Sequence, residues 1–213
     1  MRTKVKICGI TCIDDAQAAI DAGADALGFM FYEESPRFIE VDTARNLAIK
    51  IPPHISKIGV FVNADLRLLD RLDEGNFLDY FQFSGDENPS ICTRYADRTI
   101  KTFHIQRNFK IESIDSYNSC AMYLFDSGSP ESYGGTGETF DWSVLTTITI
   151  KKDFILAGGL DEFNVGSAIT AVNPFMVDVS SGVERSPGKK DHEKIARFIQ
   201  ACRKADSARY STA

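Results

Sequence analysis

Two side chains far apart in the sequence have the chemistry to exchange protons with a ligand: Cys8 and Asp126. Cys8 ends the run Lys4-Val5-Lys6-Ile7 and is followed by Gly9, which gives it an unhindered turn. A thiol acts as a base only after losing its proton, so a working site is expected to lower it from its reference value of about 8.5. Asp126 follows Met122-Tyr123-Leu124-Phe125. That apolar run is expected to desolvate the carboxyl in part and raise it above about 3.9. A carboxylic acid that keeps its proton near neutral pH can donate to a leaving oxygen. Taken singly, Cys8 is more often a packed small hydrophobe, and Asp126 is as often a loop cap. Their joint placement at the ends of two strands is what favours an acid–base pair.

A second set of residues suits an anion. Leu156-Ala157-Gly158-Gly159-Leu160 and Asp178-Val179-Ser180-Ser181-Gly182-Val183-Glu184 each end an apolar run. Gly158, Gly159 and Gly182 let backbone N–H groups come close to a phosphate, with Ser180 and Ser181 beside them. A short helix starting near Ser181 would add its positive end. Arg37, in Tyr32-Glu33-Glu34-Ser35-Pro36-Arg37-Phe38, offers a fork suited to a carboxylate, although a lone arginine is more often a surface residue. The stretch 126–137 is glycine-rich and reads as a lid or ligand loop over a mouth. It lacks the spacing of a nucleotide-binding motif. His54, His104 and His192 are scattered, with no metal-ligand spacing, so no metal is expected.

The elements that must position these groups alternate along the chain. Apolar, β-branched runs fall at 4–8, 26–31, 57–62, 79–83, 99–105, 121–126, 154–157 and 175–179. Helical patterns lie between them at 13–22, 41–50, 66–74, 89–97, 113–119, 142–147, 162–170 and 191–205. The last carries Ile195, Phe198, Ile199 and Cys202 at helical spacing. Eight strand–helix units predict parallel strands joined by helical crossovers, which is the number that closes a barrel. An open doubly wound sheet is the alternative, but it would gather the unusual residues at one switch point. Here polar residues and glycines follow nearly every strand. The expectation is an α/β chain forming one single-domain (β/α)8 barrel of the TIM type across residues 1–213.

Composition narrows the function class. The chain has 213 residues, with 30 acidic and 24 basic side chains and a net charge of -6. No basic stripe points to nucleic acid, and no apolar run approaches the roughly 20 residues of a membrane span. Cys8, Cys12, Cys92, Cys120 and Cys202 form no paired motif and read as free thiols. With no apolar leader ahead of the first strand, the cytoplasm is the expected compartment.

These motifs carry a resemblance. Lys6-Ile7-Cys8-Gly9-Ile10-Thr11, Gly28-Phe29-Met30-Phe31-Tyr32 with Ser35-Pro36-Arg37, and Gly59-Val60-Phe61-Val62-Asn63 resemble the phosphoribosylanthranilate isomerase family. So do Gly134-Gly135-Thr136-Gly137 with Phe140-Asp141-Trp142 and the two loops that end at Leu160 and Glu184. Pro187-Gly188-Lys189-Lys190-Asp191 completes the series, in family order, over almost the entire chain. The resemblance implies an isomerase of tryptophan biosynthesis that carries out an Amadori rearrangement of N-(5-phosphoribosyl)anthranilate. It implies Asp126 as general acid and Cys8 as general base. It also implies Arg37 on the anthranilate carboxylate, Gln82 and Asp178 among the substrate-binding residues, and the two glycine loops on the phosphate. The iminium intermediate makes the sugar carbon acidic, so no metal or organic cofactor is implied. The expected partner is a phosphorylated small molecule, with the chain acting as a monomer or homodimer.

Two positions depart from the family pattern. Ser84 stands where Gln-Leu-His-Gly-Asp-Glu would put histidine, and Glu34 stands where lysine is common. Restoring histidine at position 84 is therefore expected to raise catalytic efficiency. The alternatives are a related phosphoribosyl-compound barrel and a catalytically decayed barrel that only binds phosphate. The histidine-synthesis isomerase would put aspartate where Cys8 stands, and indole-glycerol-phosphate synthase would show a lysine-based site and a longer N-terminus.

Overall fold

The computed structural model describes residues 2–105, 109, 111–127, 141–147 and 150–211. Eight parallel strands close into a barrel in sequential order: β1 (Lys4–Cys8), β2 (Ala26–Met30), β3 (Ser56–Phe61), β4 (Tyr80–Phe83), β5 (Thr99–His104), β6 (Met122–Asp126), β7 (Phe154–Leu156) and β8 (Met176–Val179). Closure is made by β1 against β8, with Lys4 opposite Met176 and Ile7 opposite Val179. The helices are α1 (Ile13–Ala22), α2 (Val41–Ala48), α3 (Leu66–Glu74), α4 (Pro89–Arg94), α5 (Ser143–Thr146), α6 (Val165–Val172) and α7 (His192–Ser211). The expected (β/α)8 barrel is present, with one departure. The crossover from β5 to β6 is a 3-10 segment, Ile111–Tyr117, in place of an α-helix over 113–119.

Local chemistry sets the helix boundaries. Gly23 ends α1 in the left-handed region at φ 99. Asp65 caps α3 by accepting from the Leu68 N–H, and Asn88 caps α4 with Pro89 in its first turn. The apolar stripe foreseen in α7 is buried through Ile195, Phe198, Ile199 and Cys202. Thr3 closes the barrel end against this helix: its N–H and hydroxyl donate to Asp206 at 3.0 and 2.7 Å.

Two apolar layers follow from the period-two alternation of the strands. Outward residues such as Val5, Leu27, Phe81 and Val177 pack beneath the helices. Inward residues Ala26, Ile58, Ile100, Leu124, Ile155 and Met176 fill the lower barrel. At the C-terminal ends the inward positions turn polar, through Lys6, Cys8, Gln82, Ser84, Thr102, Asp126 and Asp178. Beyond β8, a short antiparallel ribbon forms between β9 (Glu184–Ser186) and β10 (Lys189–Lys190), an element the sequence pattern did not suggest. Among the described residues no helix is long and apolar enough to cross a membrane.

Candidate active site at the barrel mouth

A cavity of about 260 Å³ opens at the C-terminal ends of the strands. Cys8, Arg37, Gln82, Asp126, Gly158, Gly159, Asp178, Ser180 and Ser181 all line it. Gly182 does not reach the wall. A Cβ there would collide with the Leu160 carbonyl, so this glycine lets the loop after β8 lie directly on the loop after β7. Residues 128–140, which include most of the expected lid, lie outside the described residues.

The phosphate-type loops owe their shape to backbone conformation. Gly158 and Gly159 have φ of 88 and 59, where a side chain would be strained. A Cβ on Gly158 would also meet the backbone N and hydroxyl of Ser127. The Asn164 amide donates to the Gly159 carbonyl at 2.8 Å and fixes the turn. The helix expected at Ser181 is only one 3-10 turn, Ser181–Val183. Such a turn carries no appreciable dipole, so backbone N–H groups and the two serines are what this end offers an anion.

Charged groups cluster on the other side. Arg37 Nε and Nη2 donate to Glu184 at 2.9 and 2.8 Å, and Lys190 Nζ donates to the same carboxylate at 2.7 Å. Burial pushes the Glu184 carboxyl up, but Arg37 and Lys190 more than reverse this and hold it below the usual range. Arg37 is therefore a wall residue with half of its fork already committed.

Deeper in the barrel, Lys6 Nζ donates to Asp178 Oδ2 and to Gln82 Oε1, each at 2.8 Å. Gln82 Nε2 donates onward to the Ser84 hydroxyl at 3.1 Å, and Ser84 shares a hydrogen bond of 2.9 Å with Thr102. The second Asp178 oxygen, Oδ1, is buried with no hydrogen-bond partner among the described residues. A buried acceptor of that kind on a cavity wall is suited to a ligand N–H or O–H.

The thiol does not behave as expected from sequence. Burial pushes Cys8 up, and Asp178 adds to the rise, while Lys6 and Lys190 oppose it. The expected lowering is thus corrected: the net direction is upward, because the sulfur is almost wholly removed from water.

Three residues in or around the site were missed in the sequence. Lys6 was named only as a member of the first strand run, although its place two residues before Cys8 put it on the same inward face. His104 lines the cavity, stands opposite Asp126 in the β5–β6 register, and its Nε2–H donates to the Ser84 carbonyl at 3.2 Å. Glu184 was quoted only as part of a motif. Glu34, on the cavity rim, accepts from the Tyr32 hydroxyl at 2.7 Å.

A closed parallel barrel with paired proton-transfer candidates and glycine loops after β7 and β8 defines a TIM-barrel enzyme built for a small anionic ligand. The model of the family described as N-(5'phosphoribosyl)anthranilate (PRA) isomerase matches residues 5–201. The chain belongs to this isomerase family. It is 45% identical over 202 residues to the N-(5'-phosphoribosyl)anthranilate isomerase of Geobacter sp. (strain M21), covering 95% of this chain and 98% of that one. The phosphoribosyl anthranilate isomerase structure from Thermotoga maritima superposes with a TM-score of 0.87 at 39% identity, over 95% of this chain and 99% of that one. A family structure in complex with reduced 1-(o-carboxyphenylamino)-1-deoxyribulose 5-phosphate gives a TM-score of 0.83 at 36% identity, over 95% and 99%.

Proposed function

We propose that the protein isomerises N-(5-phosphoribosyl)anthranilate to 1-(2-carboxyphenylamino)-1-deoxyribulose 5-phosphate, a step of tryptophan biosynthesis, with Asp126 as general acid and Cys8 as general base. The observation that carries this reading is the opening of both groups, from β6 and β1, into one cavity with Gly158, Gly159, Ser180 and Ser181. The phosphate sits on the two loops. Asp126 donates to the furanose ring oxygen; the bond from C1 to that oxygen breaks and a protonated Schiff base forms at C1. The Cys8 thiolate then removes the C2 proton, the electron pair enters the C1–C2 bond, and the resulting enolamine tautomerises to the ketone. The positive Schiff base is what makes C2 acidic, so a single well-placed base suffices.

The anthranilate carboxylate is assigned to Arg37. Because Nε and Nη2 are engaged by Glu184, Nη1 is the part of the fork that meets the substrate. Asp178 Oδ1, buried without a partner among the described residues, is assigned the anthranilate N–H.

The test is turnover on the anthranilate substrate, followed by its fluorescence, for wild type, Cys8→Ser and Asp126→Asn. Each variant should lose about 10²- to 10⁴-fold in kcat. Turnover within a few-fold of wild type would remove that residue from its role. Phosphate affinity without turnover in the wild type would establish a binding barrel instead. The chosen reading has support against that alternative: Ser84 does not leave a gap but joins Gln82 and Thr102 in a closed hydrogen-bond chain.

A further inference from the structure

Below the cavity floor lies a lysine with no exposure to solvent. Lys6 precedes Cys8 by two residues on β1, so both side chains enter the barrel, one layer apart. Its two hydrogen bonds, to Asp178 and Gln82, account for two of the three N–H donors of an ammonium. Gly28, opposite Cys8 in the β1–β2 register, shows where the third can go. A Cβ on Gly28 would stand 2.8 Å from Cys8 Sγ and 3.1 Å from Lys6 Cε. The sulfur and the end of the lysine chain thus converge on the space that this glycine leaves open. A buried cation is costly unless it is paired. Asp178 supplies the pairing, and the placement beneath the sulfur is what remains to be explained.

We propose that Lys6 is a positioning residue for the isomerisation, whose ammonium lies against Cys8 and stabilises the thiolate formed there to take the substrate's C2 proton. The inference rests on the reading of Cys8 as the base. In the step itself the C2–H bond breaks, an S–H bond forms, and the electron pair neutralises the Schiff base. Lys6 keeps its proton throughout and acts only through its charge.

The other charges around the sulfur fit this role. Lys190 approaches from the ribbon after β8 and Arg37 from the loop after β2; Asp178 belongs to β8, and β2 itself offers only Gly28. Glu184 is spent on Arg37 and Lys190, and Asp178 on Lys6. His104 and Asp126 face the cavity from β5 and β6. Around the sulfur, Lys6, Lys190 and Arg37 meet Asp178 and Glu184, and the one cation in excess favours the thiolate when it forms. Burial and Asp178 push the thiol up overall, and Lys6 is the strongest of the groups that oppose them.

The experiment measures alkylation of Cys8 by iodoacetamide against pH, quantified on its peptide by mass spectrometry, in a background where the exposed Cys12 is replaced (Cys12→Ser). In Lys6→Met the midpoint should rise by about one to three pH units, the range for losing an adjacent opposite charge. The acidic limb of kcat/KM should move with it, and kcat should fall more than KM rises. In Asp178→Asn the midpoint should move down, because a carboxylate opposing the thiolate is gone. A mere packing defect would not produce that opposite sign, and this variant decides the matter alone if Lys6→Met does not fold. An unmoved midpoint in Lys6→Met, or an upward shift in Asp178→Asn, overturns the proposal. Full turnover in Cys8→Ser would instead overturn the base assignment and leave the alkylation result standing.

Discussion

Replacing Glu184 by glutamine removes one charge while changing almost no volume. Both carboxylate oxygens are occupied: Oε2 accepts from Arg37 Nη2 at 2.8 Å, and Oε1 accepts from Arg37 Nε at 2.9 Å and Lys190 Nζ at 2.7 Å. In the amide, one of these positions becomes an NH₂ that faces an N–H donor. One or two charge-assisted bonds of about 1.5–3 kcal/mol each are lost. That agrees with the roughly 3–5 kcal/mol found on breaking a buried ion pair from one side. At about 2–4 °C per kcal/mol for a domain of this size, Tm should fall by about 6–20 °C. Arg37 also loses the clamp that aims Nη1, so KM for the anthranilate substrate should rise while kcat changes less.

Thermal unfolding and steady-state kinetics on the same sample, well below the melting range, check both consequences. A Tm within about 2 °C of wild type would refute the stabilising role of the clamp. A large fall in Tm with an unchanged KM would refute the assignment of Arg37 to the substrate carboxylate. The pH dependence adds a third test. Glu184 is held below its ordinary range, so its contribution is complete above the unfolded value of about 4.3 and is lost as pH falls through the lower folded value. The Tm difference between wild type and Glu184→Gln should stay constant from neutral pH down to about 5 and shrink below about 4.

Ser84→His should lower stability by about 1–3 kcal/mol and reduce kcat/KM, reversing the expectation drawn from the family pattern. Ser84 is buried between Gln82 and Thr102, and the His104 ring already occupies the space at its carbonyl. Adding His104→Ala to Ser84→His should recover part of the loss, which denaturation and kinetics of the double-mutant cycle would show; strict additivity would refute the shared space. Gly28→Ala places a Cβ against Cys8 Sγ and Cys8 Cα, so the sulfur must move. Turnover should drop about 10²-fold with little change in KM, and wild-type turnover would show that the thiol's position is not critical.

Much of the barrel was legible because each strand announces itself locally, as a short apolar run closed by glycine or a polar residue. The stripe of Ile195, Phe198, Ile199 and Cys202 was legible for the same reason, since one helix face suffices to define it. The polar network was not, because its members come from separate strands. Lys6 meets Gln82 and Asp178 across 76 and 172 residues of chain, and a lysine inside an apolar run carries no local sign of such partners. The partial sign was the alternation: Lys6 with Cys8 and Thr102 with His104 occupy inward positions two apart. The thiol's direction was misjudged for a related reason. Its sequence neighbours suggest an open turn, whereas its environment is set by β2, β8 and the ribbon.

The two proposed proton-transfer roles ask opposite things of one cavity. The acid must carry its proton when substrate arrives, and the base must not. Among the described lining residues the phosphate end consists of Gly158, Gly159, Ser180 and Ser181, neutral donors that leave most of a dianion's field in place. That field favours a carboxylic acid over a carboxylate at the mouth, which suits the acid, and it favours a thiol over a thiolate, which does not suit the base. Only a cation confined to the sulfur's side can separate the two states. Lys6 meets that condition: it lies on β1 directly below Cys8, whereas Asp126 is on β6, three strands away around the barrel. A cation free to swing into the open mouth would be neutralised by the phosphate. Its hydrogen bonds to Gln82 and Asp178 hold this one below the floor, beside the thiol and away from the open mouth.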